Sequence, residues 1–302
     1  MKNIRVVFMG TPNFALNPLK VLIEKTNVVL VVTKPDAKVG RKKVLTPSPV
    51  KELANSKNIP VFTPQSIKKD YQKVIDAKPD LIVTCAYGKI IPKVLIDYPK
   101  YGCVNIHASI LPKYRGAAPI QWSLINGDKE TGITLMYMDE FMDTGDIIDV
   151  FKYQIKDTDD VGTLHEELSI IGGKIIDKNL ENLISGNVKR IKQNDEDATY
   201  APMIERGMEE IDFNDTVENI SNKIRAFSPW PLTRTKILDE EIKIIKAHYS
   251  NEKSDVNKLY IDKNILGIGC QNGIIYLDII KPIGKNQMDI KNYLNGKKGL
   301  LK

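Results

Sequence analysis

Apolar residues recur along this chain in two rhythms, and the change from one to the other divides it. The run IRVVFMG at 4–10 is short, mostly apolar and β-branched, and it stops at glycine. Phe14, Leu16, Leu19, Leu22 and Ile23 then fall on one helical face. The pattern predicts strand, turn, helix. Residues 27–33, 80–85 and 102–106 read as further buried strands with helical stretches between them, and such alternation predicts a parallel α/β sheet. Residues 132–138 and 146–153 read as a closing pair of strands, and 163–183 carries a helical period through Leu164, Leu168, Ile171, Ile175 and Leu180. The first domain is expected to end near residue 190. Residues 192–203 are polar, aperiodic and interrupted by proline, which suits an exposed connector. Beyond a helix at 217–227 come short β-rich pieces at 233–238, 242–249, 259–261, 265–270 and 274–280, punctuated by Asn272-Gly273 and Pro282. They predict a small barrel or sandwich.

Length agrees with two domains, because 302 residues exceed what one core sustains. With 42% apolar and 27% charged residues and a mean hydropathy of -0.25, the chain is neither disordered nor a membrane protein. No apolar run nears the roughly 20 residues of a membrane span, and no cleavage site follows the first apolar stretch. Cys85, Cys103 and Cys270 are odd in number, scattered and without a CxxC pair, and only three histidines accompany them. A reducing, metal-free interior is expected. The net charge of +6 is uneven: residues 219–302 hold 15 basic and 8 acidic side chains, an excess that points to phosphates.

Candidate chemistry concentrates in few places. Gly10 follows a strand, but one glycine cannot supply the GxGxxG fingerprint, and no GxxxxGK[ST] loop occurs. Asn105 and His107 are two apart at a strand's C-terminal end, so alternation puts both on one face where open α/β sheets bind ligands. An amide donor beside an imidazole is the minimum for acyl-type transfer, one stabilising an oxyanion and the other moving a proton. From the loop at 139–146 an aspartate could orient the ring and favour its charged form, and spacing leaves Asp139, Asp143 and Asp146 as equals. His165 lies in a helical stretch and His248 on a predicted strand, so neither is a site candidate. Residues 33–51 carry six basic side chains against one acidic, with three prolines and a glycine expected to keep the segment out of regular structure. Such a loop could grip a polyanion.

Several of these segments together resemble the methionyl-tRNA formyltransferase family, within the wider group of enzymes that use 10-formyltetrahydrofolate. The segments are FMGTPNFA at 8–15, KPDAKVGRKKVLTPSPVK at 34–51, AYGKIIP at 86–92, NIHASILPKYRGAAPIQ at 105–121, MDTGDI at 142–147, ATYAPMI at 198–204 and IRAFSPWP at 224–231. The resemblance implies a Rossmann-like parallel-sheet formyltransferase domain over 1–190, a linker over 191–207 and a small OB-like β-barrel over 208–302 that binds tRNA. It implies a catalytic trio of Asn105, His107 and Asp143, and a folate-binding stretch of Ser109, Ile110, Leu111 and Pro112. Contacts to initiator Met-tRNA would come from Arg41, Lys42 and Lys43 in the basic loop and from Lys243 and Lys246 in the C-terminal domain. The implied co-substrate is 10-formyltetrahydrofolate, without metal, and the implied location is the cytoplasm. Ile110 and Leu232 depart from the commoner leucine and glycine of the family, and Lys42 stands where a glycine often follows the loop arginine. A glycinamide-ribonucleotide or amino-sugar formyltransferase would share the trio, and a non-enzymatic RNA-binding module would share only the basic tail.

Overall fold

The computed structural model describes residues 1–40 and 42–297. Arg41 and 298–302 lie outside the described residues. By internal packing the chain forms two compact units, one of Met1–Pro119, Glu130–Gln154 and His165–Pro202, the other of Ile120–Lys129, Ile155–Leu164 and the chain from Met203 on.

In the first unit, strand β1 (Arg5–Gly10), helix α1 (Leu16–Lys25) and strand β2 (Asn27–Val32) follow the predicted order. Next come β3 (Ala37–Val39), β4 (Val44–Thr46), α2 (Pro49–Ser56), β5 (Val61–Phe62), α3 (Gln72–Asp76), β6 (Leu81–Cys85), α4 (Lys93–Asp97) and β7 (Cys103–His107). After β8 (Arg115–Gly116), the strands β9 (Glu130–Tyr137), β10 (Ile147–Gln154) and β11 (Tyr200–Ala201) and the helix α6 (Val161–Ser185), which belongs to this unit from His165 on, complete the set, while α5 (Pro119–Ile125) belongs to the second unit apart from Pro119. The main sheet runs β10-β9-β7-β6-β1-β2-β5, parallel from β5 to β7 and antiparallel at β9 and β10. Its order reverses between β1 and β6, and in open α/β sheets the crevice at such a point takes the ligand.

Both faces of the sheet are covered, which is why its strands read as continuous apolar runs rather than alternations. Val7, Met9, Leu30, Val32, Ile82 and Cys103 pack on one face with Val74 of α3 and Leu95 and Ile96 of α4. Gly10 is explained by packing: a Cβ there would come within 2.9 Å of Phe8, Ala15 and the Cys85 carbonyl.

The basic segment 33–51 is not irregular as expected. β3 and β4 pair as an antiparallel hairpin, and the helix α2 begins at Pro49. Proline suits the first helical position because its missing N–H has no partner there. Ser48 caps the helix by accepting from Lys51 N at 3.1 Å.

The second unit holds α7 (Val217–Phe227), β12 (Thr233–Ile237), β13 (Glu240–Ser250), β14 (Leu259–Asp262), β15 (Ile265–Gly269), β16 (Ile274–Pro282), β17 (Met288–Asp289) and α8 (Ile290–Asn295). The strands form one antiparallel sheet in the order β12-β13-β16-β15-β14, with β17 on β16 and two register shifts around Lys246. Val217, Ile220 and Ile224 of α7 bury one face against Ile242, Ile244, Leu266 and Ile275. Thr216 caps that helix through Asn219 N at 3.2 Å. Among the described residues no helix is long and apolar enough to cross a membrane.

Candidate active site

Alternation along β7 places Cys103, Asn105 and His107 on the sheet face that α3 and α4 cover. Thr84 on β6 is in parallel register with Asn105, and its hydroxyl donates to Asn105 Oδ1 at 2.7 Å. With Oδ1 accepting from Thr84, Nδ2 is left as the donor of the amide.

The His107 ring is 6% exposed. Its Nε2 stands 2.9 Å from the Tyr114 carbonyl. A carbonyl only accepts, so Nε2 carries the hydrogen and Nδ1 is left as the basic nitrogen. Nδ1 lies 3.6 Å from Asp143 Oδ1, too long for a hydrogen bond but an ion-pair distance once the ring takes a second proton. The carboxylate is held by Gly116 N, which donates to Oδ2 at 2.9 Å. Asp143 achieves this with φ at 57°, in the left-handed region.

The three loop aspartates are thereby distinguished. Asp139 accepts from Phe141 N at 3.1 Å and from the Thr144 hydroxyl at 2.7 Å, closing its own turn. Asp146 pairs with Arg190 at 2.9 Å. Asp143 is the one beside the ring.

Ser109 is fully buried and donates from its hydroxyl to the Lys113 carbonyl at 2.6 Å. Thr134 on β9 pins the stretch that follows: its hydroxyl donates to the Ser109 carbonyl at 2.7 Å and accepts from Leu111 N at 3.1 Å. Leu111 packs with Met136 and Ile147, while Ile110 and Pro112 are half-buried.

Residues 193–201 lie within the first unit and are structural parts of this site. Thr199 accepts from Tyr114 N at its hydroxyl, 2.9 Å, and from Arg115 N at its carbonyl, 2.9 Å. β8 and β11 pair in parallel, and Ala201 O accepts from both Ala117 N and Ala118 N.

Of the basic candidates, Lys42 and Lys43 are exposed and have no ion pair among the described residues, whereas Arg41 lies outside them. Lys51 is spent on Asp36 at 2.8 Å. In the second unit Lys246 is exposed at the β13 register shift, and Lys243 Nζ donates to the Pro231 carbonyl at 3.3 Å.

The other two histidines and two of the cysteines stand apart from the trio of Asn105, His107 and Asp143. Burial, against the Phe14 ring edge at 5.1 Å, pushes the His165 imidazole down, and His248 pairs with Asp278 at 2.8 Å. Burial pushes the Cys85 and Cys103 thiols up, so neither is a nucleophile. No group of three His, Cys, Asp or Glu among the described residues could hold a metal ion.

Sequence pattern alone does not single out Thr84, Thr134 or the Tyr114 carbonyl. The two threonines carry one trace, as polar residues inside buried strands, and the carbonyl carries none.

The chain's N-terminal part, residues 2–180, matches the family model described as Formyl transferase, and residues 203–298 match Formyl transferase, C-terminal domain. Over 300 residues the chain is 44% identical to the methionyl-tRNA formyltransferase of Bacillus velezensis, covering 97% of this chain and 95% of that protein. The Bacillus subtilis protein of the same name is also 44% identical over 300 residues, covering 97% and 94%. A crystal structure of a sugar 3N-formyl transferase with dTDP and 5-N-formyl-THF superposes with a TM-score of 0.69 at 24% identity, over 95% of this chain and 100% of that one. At that identity the likeness speaks for the fold.

Proposed function

This chain belongs to the formyl transferase family, and from that premise we propose that it moves the formyl group of 10-formyltetrahydrofolate to the α-amine of methionine on initiator tRNA, for translation initiation. The observation that carries the reading is the meeting of an amide donor, an imidazole with one free nitrogen and a carboxylate at the C-terminal end of β7. The tRNA acceptor is favoured over a sugar or a ribonucleotide because the relatives bearing that name are 44% identical over 97% of this chain, against 24% for the sugar enzyme.

The amine nitrogen attacks the formyl carbon and makes the new C–N bond, leaving a tetrahedral oxyanion. Asn105 Nδ2 donates to that oxygen, a contact worth about 3–4 kcal/mol in the transition state. His107 Nδ1 takes the proton released by the amine, and the resulting cation faces Asp143. The same proton is then delivered to N10 as the old C–N bond breaks, and positioned transfer of this kind contributes ~10²–10⁴ in rate. Ser109, Ile110, Leu111 and Pro112 border the folate. Lys42 and Lys43, with Arg41 next to them in sequence, meet the acceptor end, and Lys243 and Lys246 meet phosphates of the tRNA. Residues 1–190 carry the chemistry and 208–302 the RNA, joined by 191–207. The enzyme works in the cytoplasm without a metal.

The test is to incubate the protein with 10-formyltetrahydrofolate and Met-tRNA, either initiator or elongator, and to look for N-formylmethionine. Formylation confined to the initiator is expected. Product formed only from a small amine, such as an amino sugar or glycinamide ribonucleotide, would refute the tRNA reading. His107→Ala and Asp143→Asn should each lose most turnover while keeping tRNA affinity.

A further inference from the structure

We propose that Gln193 is the positioning residue for Asp143, a role that rests on the reading of His107 and Asp143 just given. Gln193 is half-buried in the polar segment ahead of β11. Its Nε2 donates to the carbonyls of Asp143 at 2.9 Å and Gly145 at 2.8 Å. Its Oε1 accepts from Arg115 Nε at 3.1 Å and Nη2 at 2.9 Å. One side-chain amide thus uses both donors and both lone pairs.

The backbone it grips does not hold itself. Asp143 sits at φ 57°, where a side chain is unfavourable, and a Cβ on Gly145 would overlap the Tyr137 carbonyl. Such a conformation persists only where its surroundings over-determine it. Arg115, 3% exposed and tied to Asp195 at 2.7 Å, anchors the other side of the amide. Its neighbour Gly116 binds the Asp143 carboxylate. The carbonyl and the carboxylate of Asp143 are therefore both fixed to one two-residue strand, β8, the first through Gln193. This clamp sets the 3.6 Å separation between Oδ1 and the ring.

A competing role is plain satisfaction of Arg115, a buried cation, and Gln193→Glu separates the two. The substitution keeps an acceptor for Arg115 and adds a favourable charge, but it turns both donors into lone pairs facing two carbonyls. If Gln193 positions Asp143, the variant should lose roughly 10–100-fold in kcat, because displacements near 1 Å have that effect. Its KM for folate should stay within about 2-fold, a split that the loss of a contact made equally in ground and transition states would not give. The pH dependence of kcat should move in the same direction as in Asp143→Asn, since the ring loses the same carboxylate, and the thermal midpoint should stay near wild type. Gln193→Met, which removes donors and acceptor at equal length, should show the same loss of kcat and the same displacement of the pH profile; if the glutamate variant does not fold, that displacement decides the matter, because an unsatisfied Arg115 that leaves Asp143 in place would not move the profile. Wild-type kcat in a folded Gln193→Glu, or failure of both variants to fold, overturns the proposal in favour of a purely structural residue. A wild type that formylates Met-tRNA beside an unimpaired Gln193→Glu sinks the clamp alone, whereas a wild type inactive on Met-tRNA sinks the functional reading and the clamp with it.

Discussion

Truncating Asn105 to alanine separates catalysis from scaffolding, because the structure makes the two consequences very unequal. The amide N–H disappears from the position where negative charge develops, and one such donor is worth about 3–4 kcal/mol, or ~10²–10³ in kcat. The fold loses less. The Thr84 hydroxyl gives up its 2.7 Å acceptor but keeps the Val104 carbonyl at 3.3 Å and Met138 Sδ at 3.4 Å within reach, so its proton is not orphaned. That is the exchange of one neutral hydrogen bond for a poorer one, about 1 kcal/mol. In a unit of this size it lowers the thermal midpoint by about 2–4 °C. Asn105→Asp sharpens the comparison, since it keeps the shape and the acceptor for Thr84 while offering no N–H to the oxyanion, and it should be at least as slow as the alanine variant. The assay is single-turnover formylation with 10-formyltetrahydrofolate in excess, paired with calorimetry on the same preparations. A rate within about 3-fold of wild type would remove Asn105 from the chemistry. A midpoint lowered by more than about 10 °C would make the lost rate a loss of structure.

Three further outcomes are expected. Thr134→Val breaks the bridge between the Ser109 carbonyl and Leu111 N and leaves both unpaired, about 1–3 kcal/mol, so affinity for a folate analogue should fall ~5–150-fold by calorimetric titration while tRNA affinity is unchanged. Equal affinity would mean that this stretch does not border the folate. The Lys297 ammonium at 3.0 Å, with Lys285 also at 3.0 Å, holds the Glu240 carboxyl below the usual carboxylate range, so its stabilisation is present above about pH 4.3 and lost as pH falls through the lower native value. Glu240→Gln should therefore be less stable than wild type at pH 7, with the gap closing below pH ~4 in chemical unfolding, and a pH-independent gap would contradict the pairing. Replacing Lys42 and Lys43 together by alanine should flatten the dependence of log Kd for tRNA on log salt by about one to two units, because each phosphate contact releases counterions, and an unchanged slope would take the hairpin off the RNA.

Local pattern determined much of this molecule. Residues 217–227 were legible as a helix with matching bounds because one apolar face and a threonine cap are properties of consecutive residues. The parallel strands were legible because a strand covered on both faces must be apolar throughout. The face shared by Asn105 and His107 followed from a period of two, and the resemblance to known sequences singled out Asp143. The hairpin of 37–46 was not legible, because its prolines flank paired strands instead of breaking them, and a two-stranded ribbon with exposed Val39, Val44 and Leu45 leaves no apolar alternation to read. What positions the chemistry was decided by the tertiary structure. The nitrogen of His107 that is free to move a proton depends on the Tyr114 carbonyl, the end of the Asn105 amide left as donor depends on Thr84 across 21 residues, and the stance of Asp143 depends on Gln193 across 50. A backbone carbonyl is present at every residue, and a glutamine in a polar segment resembles any other, so only the fold, by bringing donors and acceptors from distant strands to within about 3 Å, gives those atoms their roles.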